Sequence, residues 1–116
     1  MVLVSLDGFR WDYLDRAVAP NLQRLAMRGV RAQWMTASFP TKTFPNHYTM
    51  VTGLHPVNHG IVANNIRDSL LGSFRLSDTV AQRDARWWGG EPIWRTARRP
   101  GQRATRHGRP VLRGAP

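Results

Sequence analysis

The 116-residue chain contains no cysteine, only 7 acidic side chains against 17 Lys and Arg, and no long hydrophobic run. Each shortage removes a class of protein. Without Cys, neither a disulfide scaffold nor a Cys-type zinc finger can be built. A bilayer-spanning helix needs about 20 apolar residues in succession, and the longest N-terminal run, Val2-Leu3-Val4, falls far short of that. No basic region precedes that run, so the N-terminus does not read as a secretory signal. As written, the chain is expected to be soluble and cytoplasmic. One small domain is the ceiling, because domains cluster near ~100–150 residues. The hydrophobic fraction of 41% permits a core but not a large two-layer enzyme with its own deep pocket.

The formal charge of +10 is unevenly placed. Residues 1–94 hold 10 basic and 7 acidic side chains, whereas residues 95–116 hold 7 Arg and no acid. In that last stretch 16 of 22 residues are Arg, Pro, Gly or Ala, too little apolar surface to offset the entropy of ordering. Disorder is therefore expected there. One reading makes the tail an arm for nucleic-acid phosphates, with steep salt dependence. The other makes it the product of a GC-rich gene read out of frame. The tail has no aromatic residue on which bases could stack, which favours the second reading.

In the body, residues 2–6 (VLVSL) form a β-rich run ending at Asp7-Gly8, and are expected to be a buried strand. Ala19-Pro20-Asn21 followed by Leu22, Leu25, Ala26 and Gly29 predicts a helix with proline at its start and glycine past its end. Residues 30–34 look extended, which completes a βαβ unit. A second helix is expected after Thr41-Lys42-Thr43-Phe44-Pro45, with Tyr48, Val51 and Thr52 on one face and Gly53 at its stop. Residues 61–63 predict a third short strand. Residues 66–90 read as polar and irregular, and Glu91-Pro92-Ile93-Trp94 as a further helix start.

In open α/β sheets, sites lie beyond the carboxyl ends of strands. Asp7 follows the first predicted strand, Thr43 precedes the second helix, and Asn64 follows the third strand. A carboxylate suits a metal, a hydroxyl at a helix start suits a nucleophile, and an amide suits an oxyanion. Together they suggest metal-assisted attack on phosphorus. Each residue also has an ordinary reading: Asp7 and Asn64 as turn formers and Thr43 as a cap.

The literal strings decide between these readings. Residues 2–10 (VLVSLDGFR), residues 40–48 (PTKTFPNHY), Thr52-Gly53-Leu54, His59-Gly60-Ile61-Val62 and residues 87–94 (WWGGEPIW) resemble the type I phosphodiesterase/nucleotide pyrophosphatase family of the alkaline phosphatase superfamily. The resemblance covers residues 1–94 and implies the N-terminal portion of a three-layer αβα sandwich. It implies that Asp7 binds one of two zinc ions, and that Thr43 contacts that zinc and is the covalent nucleophile. Asn64 would hydrogen-bond a non-bridging phosphate oxygen, and Phe44 would pack against a nucleotide base. The activity implied is metal-dependent hydrolysis of phosphodiester or pyrophosphate bonds in nucleotides or related compounds.

Other residues receive modest roles. Lys42 reads equally as a phosphodiester attractor or a solvated loop lysine. His47 and Tyr48 are given packing or supporting roles, and Arg10, Trp11 and Tyr13 pack the loop after the first strand. His55 and His59 are four apart, but Pro56 and Gly60 argue against a regular helix through them, so they read as turn histidines. Trp87 and Trp88 are expected to fill a surface cleft.

The family's remaining zinc ligands are Asp and His residues far downstream, and no residue after Trp94 matches them. The expectation is accordingly a truncated or out-of-frame product that takes up zinc weakly and is nearly inactive. Sheet edges would be left open. Family members usually enter the secretory or periplasmic route, in contrast to the cytoplasmic expectation above. The alternative function is a non-catalytic nucleic-acid binder that uses the basic tail.

Overall fold

In the computed structural model, residues 2–16 and 19–98 are described. The chain divides into two compact units, residues 1–36 and the remainder from Ala37.

In the first unit, the expected helix forms as α1, Pro20–Arg28, with Pro20 as its first residue. Proline is tolerated there because its missing N–H would have had no partner inside the helix. Leu22, Gln23 and Ala26 are its partly buried positions. The Gln23 side chain donates to the Leu14 carbonyl at 2.5 Å. Arg31 grips the Asp15 carboxylate with two nitrogens at 2.8 and 2.9 Å, tying the segment after α1 to the turn before it. That pairing holds the exposed Asp15 carboxyl below the ordinary range. Phe9 and Tyr13 pack edge to face at 5.5 Å, while Trp11 stays mostly exposed.

The two strands expected in this unit do not form. Residues 2–6 and 30–34 carry no strand pairing, and Val2 and Val4 remain 88% and 70% exposed. A run of Val and Leu becomes a buried parallel strand only between neighbouring strands and beneath covering helices.

The second unit holds the core. α2 spans Thr43–Thr52 and stops at Gly53, whose φ of 70° lets its N–H close on the Thr49 carbonyl at 2.8 Å. A one-turn helix, α3 (Pro56–His59), ends likewise at Gly60 with φ 83°. Phe44, Tyr48 and Val51 recur at helical spacing on the inner face of α2. They pack with Ile61, Phe74, Trp87 and Trp88 as the buried cluster. Trp88 is its hinge, with ring centroids 4.9 Å from Tyr48, 5.7 Å from Phe74 and 6.2 Å from Phe44.

Three expectations are corrected in this unit. Residues 61–63 are not a strand: Ile61 is buried, but its N–H is taken by His59 Nδ1 at 3.2 Å instead of a ladder. The pairing begins two residues beyond Val62's successor, at β1 (Asn65–Asp68), so Asn64 precedes a strand and does not follow one. Residues 66–90, expected to be irregular, contain an antiparallel hairpin of β1 with β2 (Gly72–Arg75), in which Ile66 faces Phe74. Asp68 builds its turn by accepting from the N–H groups of Leu70 and Leu71, both at 2.8 Å. Finally, Trp87 and Trp88 lie in the core and not in a surface cleft. The Trp88 indole donates to the Gln82 carbonyl at 3.0 Å, so its polar edge is satisfied inside.

The short helix α4, Ile93–Thr96, starts after Pro92 as expected. It crosses the boundary at residue 94 where the basic tail was expected to begin. The tail from residue 99 lies outside the described residues.

Candidate active site

Thr43 is the first residue of α2, and Lys42 before it has extended backbone. The change of conformation between them leaves the first N–H groups of the helix without intrahelical acceptors. One of these, the N–H of Phe44, donates to Asn64 Oδ1 at 3.0 Å. Thr43 and Asn64, 21 residues apart, are thereby brought together through the residue that follows Thr43. A backbone N–H can only donate, so this bond fixes which end of the Asn64 amide faces α2. The donor end, Nδ2, is turned away from Phe44.

Phe44 is placed differently from its expected role. Its ring is fully buried, edge to face with Phe74 at 5.7 Å and against Trp88. With no ring face open, it has no surface to offer a nucleotide base in this arrangement; it props the start of α2 from the core side. Thr43 itself is half-buried and Lys42 exposed.

Asp7 belongs to the first unit, at a turn with Gly8, and Thr43 to the second. Among the described residues, no group of three or more His, Cys, Asp or Glu side chains comes together to hold a metal ion.

The two histidines suspected as a pair are engaged separately, but the turn reading is corrected: His55 precedes the one-turn helix α3 and His59 is its last residue, with Pro56 at its start and Gly60 just past its end. His55 is exposed and lies 3.3 Å from the Ser38 hydroxyl. His59 is fully buried, edge-on to Tyr48 at 4.9 Å. Because its Nδ1 accepts from Ile61, the proton of the neutral ring sits on Nε2, 3.1 Å from Thr49 Oγ1. Burial is the main cause that lowers its pKa below the ordinary 6.5. Tyr48 is shifted the other way, upward, also by burial.

Sequence reasoning missed Asn46, whose side chain makes four hydrogen bonds to residues 38–42. The signal available was an Asn placed just inside a predicted helix, where such residues usually bond to nearby backbone.

Comparison with known proteins decides the affiliation. The family model for type I phosphodiesterase/nucleotide pyrophosphatase matches residues 1–113. The chain belongs to this family. The matched span runs on past Trp94, where the motif strings end. An uncharacterised pyrophosphatase/phosphodiesterase of Schizosaccharomyces pombe is 50% identical over 109 residues, which is 92% of this chain and 22% of that protein. Venom phosphodiesterase 2 of Crotalus adamanteus is 49% identical over 107 residues, 90% of this chain and 13% of that enzyme. The chain thus spans about a fifth or less of the length of these relatives. Among solved structures, murine ectonucleotide pyrophosphatase/phosphodiesterase 5, an inactive Thr→Ala variant in complex with AMP, is similar with a TM-score of 0.75 and 45% identity. The match covers 84% of this chain and 26% of that one. This phosphodiesterase-family chain therefore carries the N-terminal part of the alkaline-phosphatase-like αβα fold. Among its described residues, no helix is long and apolar enough to cross a membrane.

Proposed function

We propose that the chain is the nucleophile-bearing part of a hydrolase that cleaves phosphodiester or pyrophosphate bonds in nucleotides, with Thr43 as the nucleophile. The observation that carries this reading is the Asn64 amide locked beside the start of α2 by the Phe44 N–H. A helix start favours negative charge, and the Nδ2 group is a neutral donor for a phosphate oxygen. Thr43 Oγ attacks phosphorus and gives up its proton to solvent, the bond to the leaving group breaks with its electron pair departing on the leaving oxygen, and a threonine-linked phosphoryl or nucleotidyl group forms. Water then replaces Thr43 on phosphorus and regenerates the hydroxyl. Supporting this reading, a threonine-to-alanine change accompanies inactivity in the murine relative, which was captured with AMP.

Asp7 and Thr43 are proposed as this chain's contribution to a zinc site whose other ligands come from outside the described residues. The isolated chain is accordingly expected to turn over slowly. Phe44 is not assigned to the base, because its ring is enclosed. An extracellular or periplasmic setting replaces the cytoplasmic expectation, in line with the ectonucleotide and venom enzymes it resembles. The rival reading, nucleic-acid binding by the basic tail, rests on residues that lie almost wholly outside the described ones.

The test is turnover of a chromogenic phosphodiester by the full chain and by Thr43→Ala. Slow release of chromophore that disappears in Thr43→Ala supports the reading; release that survives the substitution overturns it.

A further inference from the structure

Residues 38–42 belong to no helix or strand, yet they deliver Thr43 to its place. The side chain of Asn46, three residues into α2, turns back onto this stretch. Its Oδ1 accepts from the Ser38 N–H at 2.8 Å. Its Nδ2 lies 3.2 Å from the Ser38 carbonyl oxygen and 3.0 Å from those of Pro40 and Lys42. The Ser38 N–H can only donate, so the orientation of the amide is fixed by its partners. Two Nδ2 protons are shared among three carbonyls, which gathers the loop around one point.

The bond to Lys42 matters most. The Lys42 carbonyl belongs to the peptide plane on the N-terminal side of the Thr43 Cα, and peptide planes are rigid. The plane on the other side contains the Phe44 N–H, which Asn64 holds. Two side-chain amides therefore tie the two planes that flank Thr43, the first of them adding to the helix bond from the Asn46 backbone N–H to the Lys42 carbonyl at 3.2 Å, and together these bonds restrain its φ and ψ and hence the direction of its Cα–Cβ bond. Threonine is β-branched, which restricts χ1 in a helix to two main rotamers for Oγ. Phe44 closes the third side from the core.

We infer that Asn46 is a positioning residue for the Thr43 hydroxyl, acting through the Lys42 carbonyl, with Asn64 as its counterpart across the Cα. This inference rests on the nucleophile role proposed for Thr43.

The test uses the full chain as wild type, Asn46→Asp and Asn46→Ala. Asn46→Asp is nearly isosteric and keeps an acceptor for Ser38, but it cannot donate to the carbonyls. Amide hydrogen exchange at Lys42 and Phe44 is expected to quicken by about tenfold or more in both variants, with the buried Ile61 amide unchanged. With the chromogenic phosphodiester, kcat is expected to fall by roughly 10–100-fold while KM stays within about twofold. Unchanged exchange at Lys42 and Phe44 overturns the inference. Equal acceleration at Ile61 also overturns it, because Asn46 would then support the fold at large. Turnover that survives Thr43→Ala sinks the nucleophile reading, and the exchange comparison still decides whether Asn46 fixes the backbone around Thr43.

Discussion

The Oδ1 atom of Asn64 accepts the Phe44 N–H at 3.0 Å, so a residue just ahead of a hairpin caps the start of a helix two segments earlier. This one amide has separable duties. Its acceptor end stabilises α2, and its donor end is the part assigned to the phosphate oxygen. Asn64→Asp keeps the acceptor, and a carboxylate beside a helix start is favourable. Its stability is expected to stay within about 0.5 kcal/mol of wild type or to rise. Its phosphodiester turnover is expected to drop by about 10²–10³, the usual cost of losing one donor to a developing charge. Asn64→Ala is expected to lose both, with a stability cost of about 0.5–2 kcal/mol. Urea midpoints and turnover measured on the same samples check the split. A destabilised Asn64→Asp with full turnover would overturn the duty assigned to the donor end.

A second expectation concerns pH. His59 is buried with Nδ1 accepting from Ile61, and burial lowers its pKa from 6.5. The unfolded chain therefore binds a proton at a higher pH than the folded chain does. Stability is fully present above about pH 6.5 and declines as pH falls from there toward the lowered folded value, then levels off. Protonation would place a hydrogen on Nδ1 facing the Ile61 N–H, which makes the direction structural as well as dielectric. His47 and His55 are present in both proteins when wild type is compared with His59→Gln, so subtracting the two curves isolates His59. Urea midpoints from pH 8 to pH 5 should fall more steeply in the wild type. Parallel curves would show that the imidazole is not held neutral by its site.

How much of this was legible in the sequence depends on the range of the forces involved. Pro20 and Gly29 bracket α1 and Gly53 stops α2, because these residues act on their own backbone. The 2–6 and 30–34 strands were misjudged because pattern marks a readiness to pair, while a ladder needs a neighbour. The hairpin was missed because Ile66 and Phe74 are single apolar residues in polar runs; Asp68 and Gly72, which make its turn, were the available signal. The Trp87-Trp88 pair gave no periodicity from which burial could be inferred. At the site, Thr43 and Asn64 were picked out by their places at a predicted helix start and strand end; the structure links them through the Phe44 N–H, although Asn64 precedes a strand. Asn46 stood in the 40–48 string, but its four bonds to one loop follow from a path the backbone takes only once folded.

Gly89 offers a test of the packing behind the site. Its N–H donates to the His59 carbonyl at 2.9 Å, and a Cβ added there would sit 3.1 Å from that oxygen and 3.3 Å from the adjoining carbon atoms. The obstacle is backbone of a residue whose ring is locked on both nitrogens, so it cannot swing aside. Gly89→Ala is expected to cost about 1–3 kcal/mol, as overpacking does. Tryptophan fluorescence during urea unfolding should report an earlier transition, since Trp88 is the neighbouring core residue. A midpoint unchanged by the added methyl would mean that the Trp87-Trp88-Gly89 turn moves off His59 easily.

Zinc uptake tests the division of the site between this chain and segments beyond its described residues. Among the described residues, no three His, Cys, Asp or Glu side chains gather. The two proposed donors, Asp7 and Thr43, fall short of the three or four that hold zinc, and each missing ligand leaves a position to water. Isothermal titration of zinc into the full chain is therefore expected to show no tight, one-to-one uptake, and Asp7→Ala should weaken the residual isotherm further. The alternative has a distinct signature. Stoichiometric binding that disappears in Asp7→Ala would mean that this chain assembles a metal site on its own, and slow turnover could then not be ascribed to absent ligands.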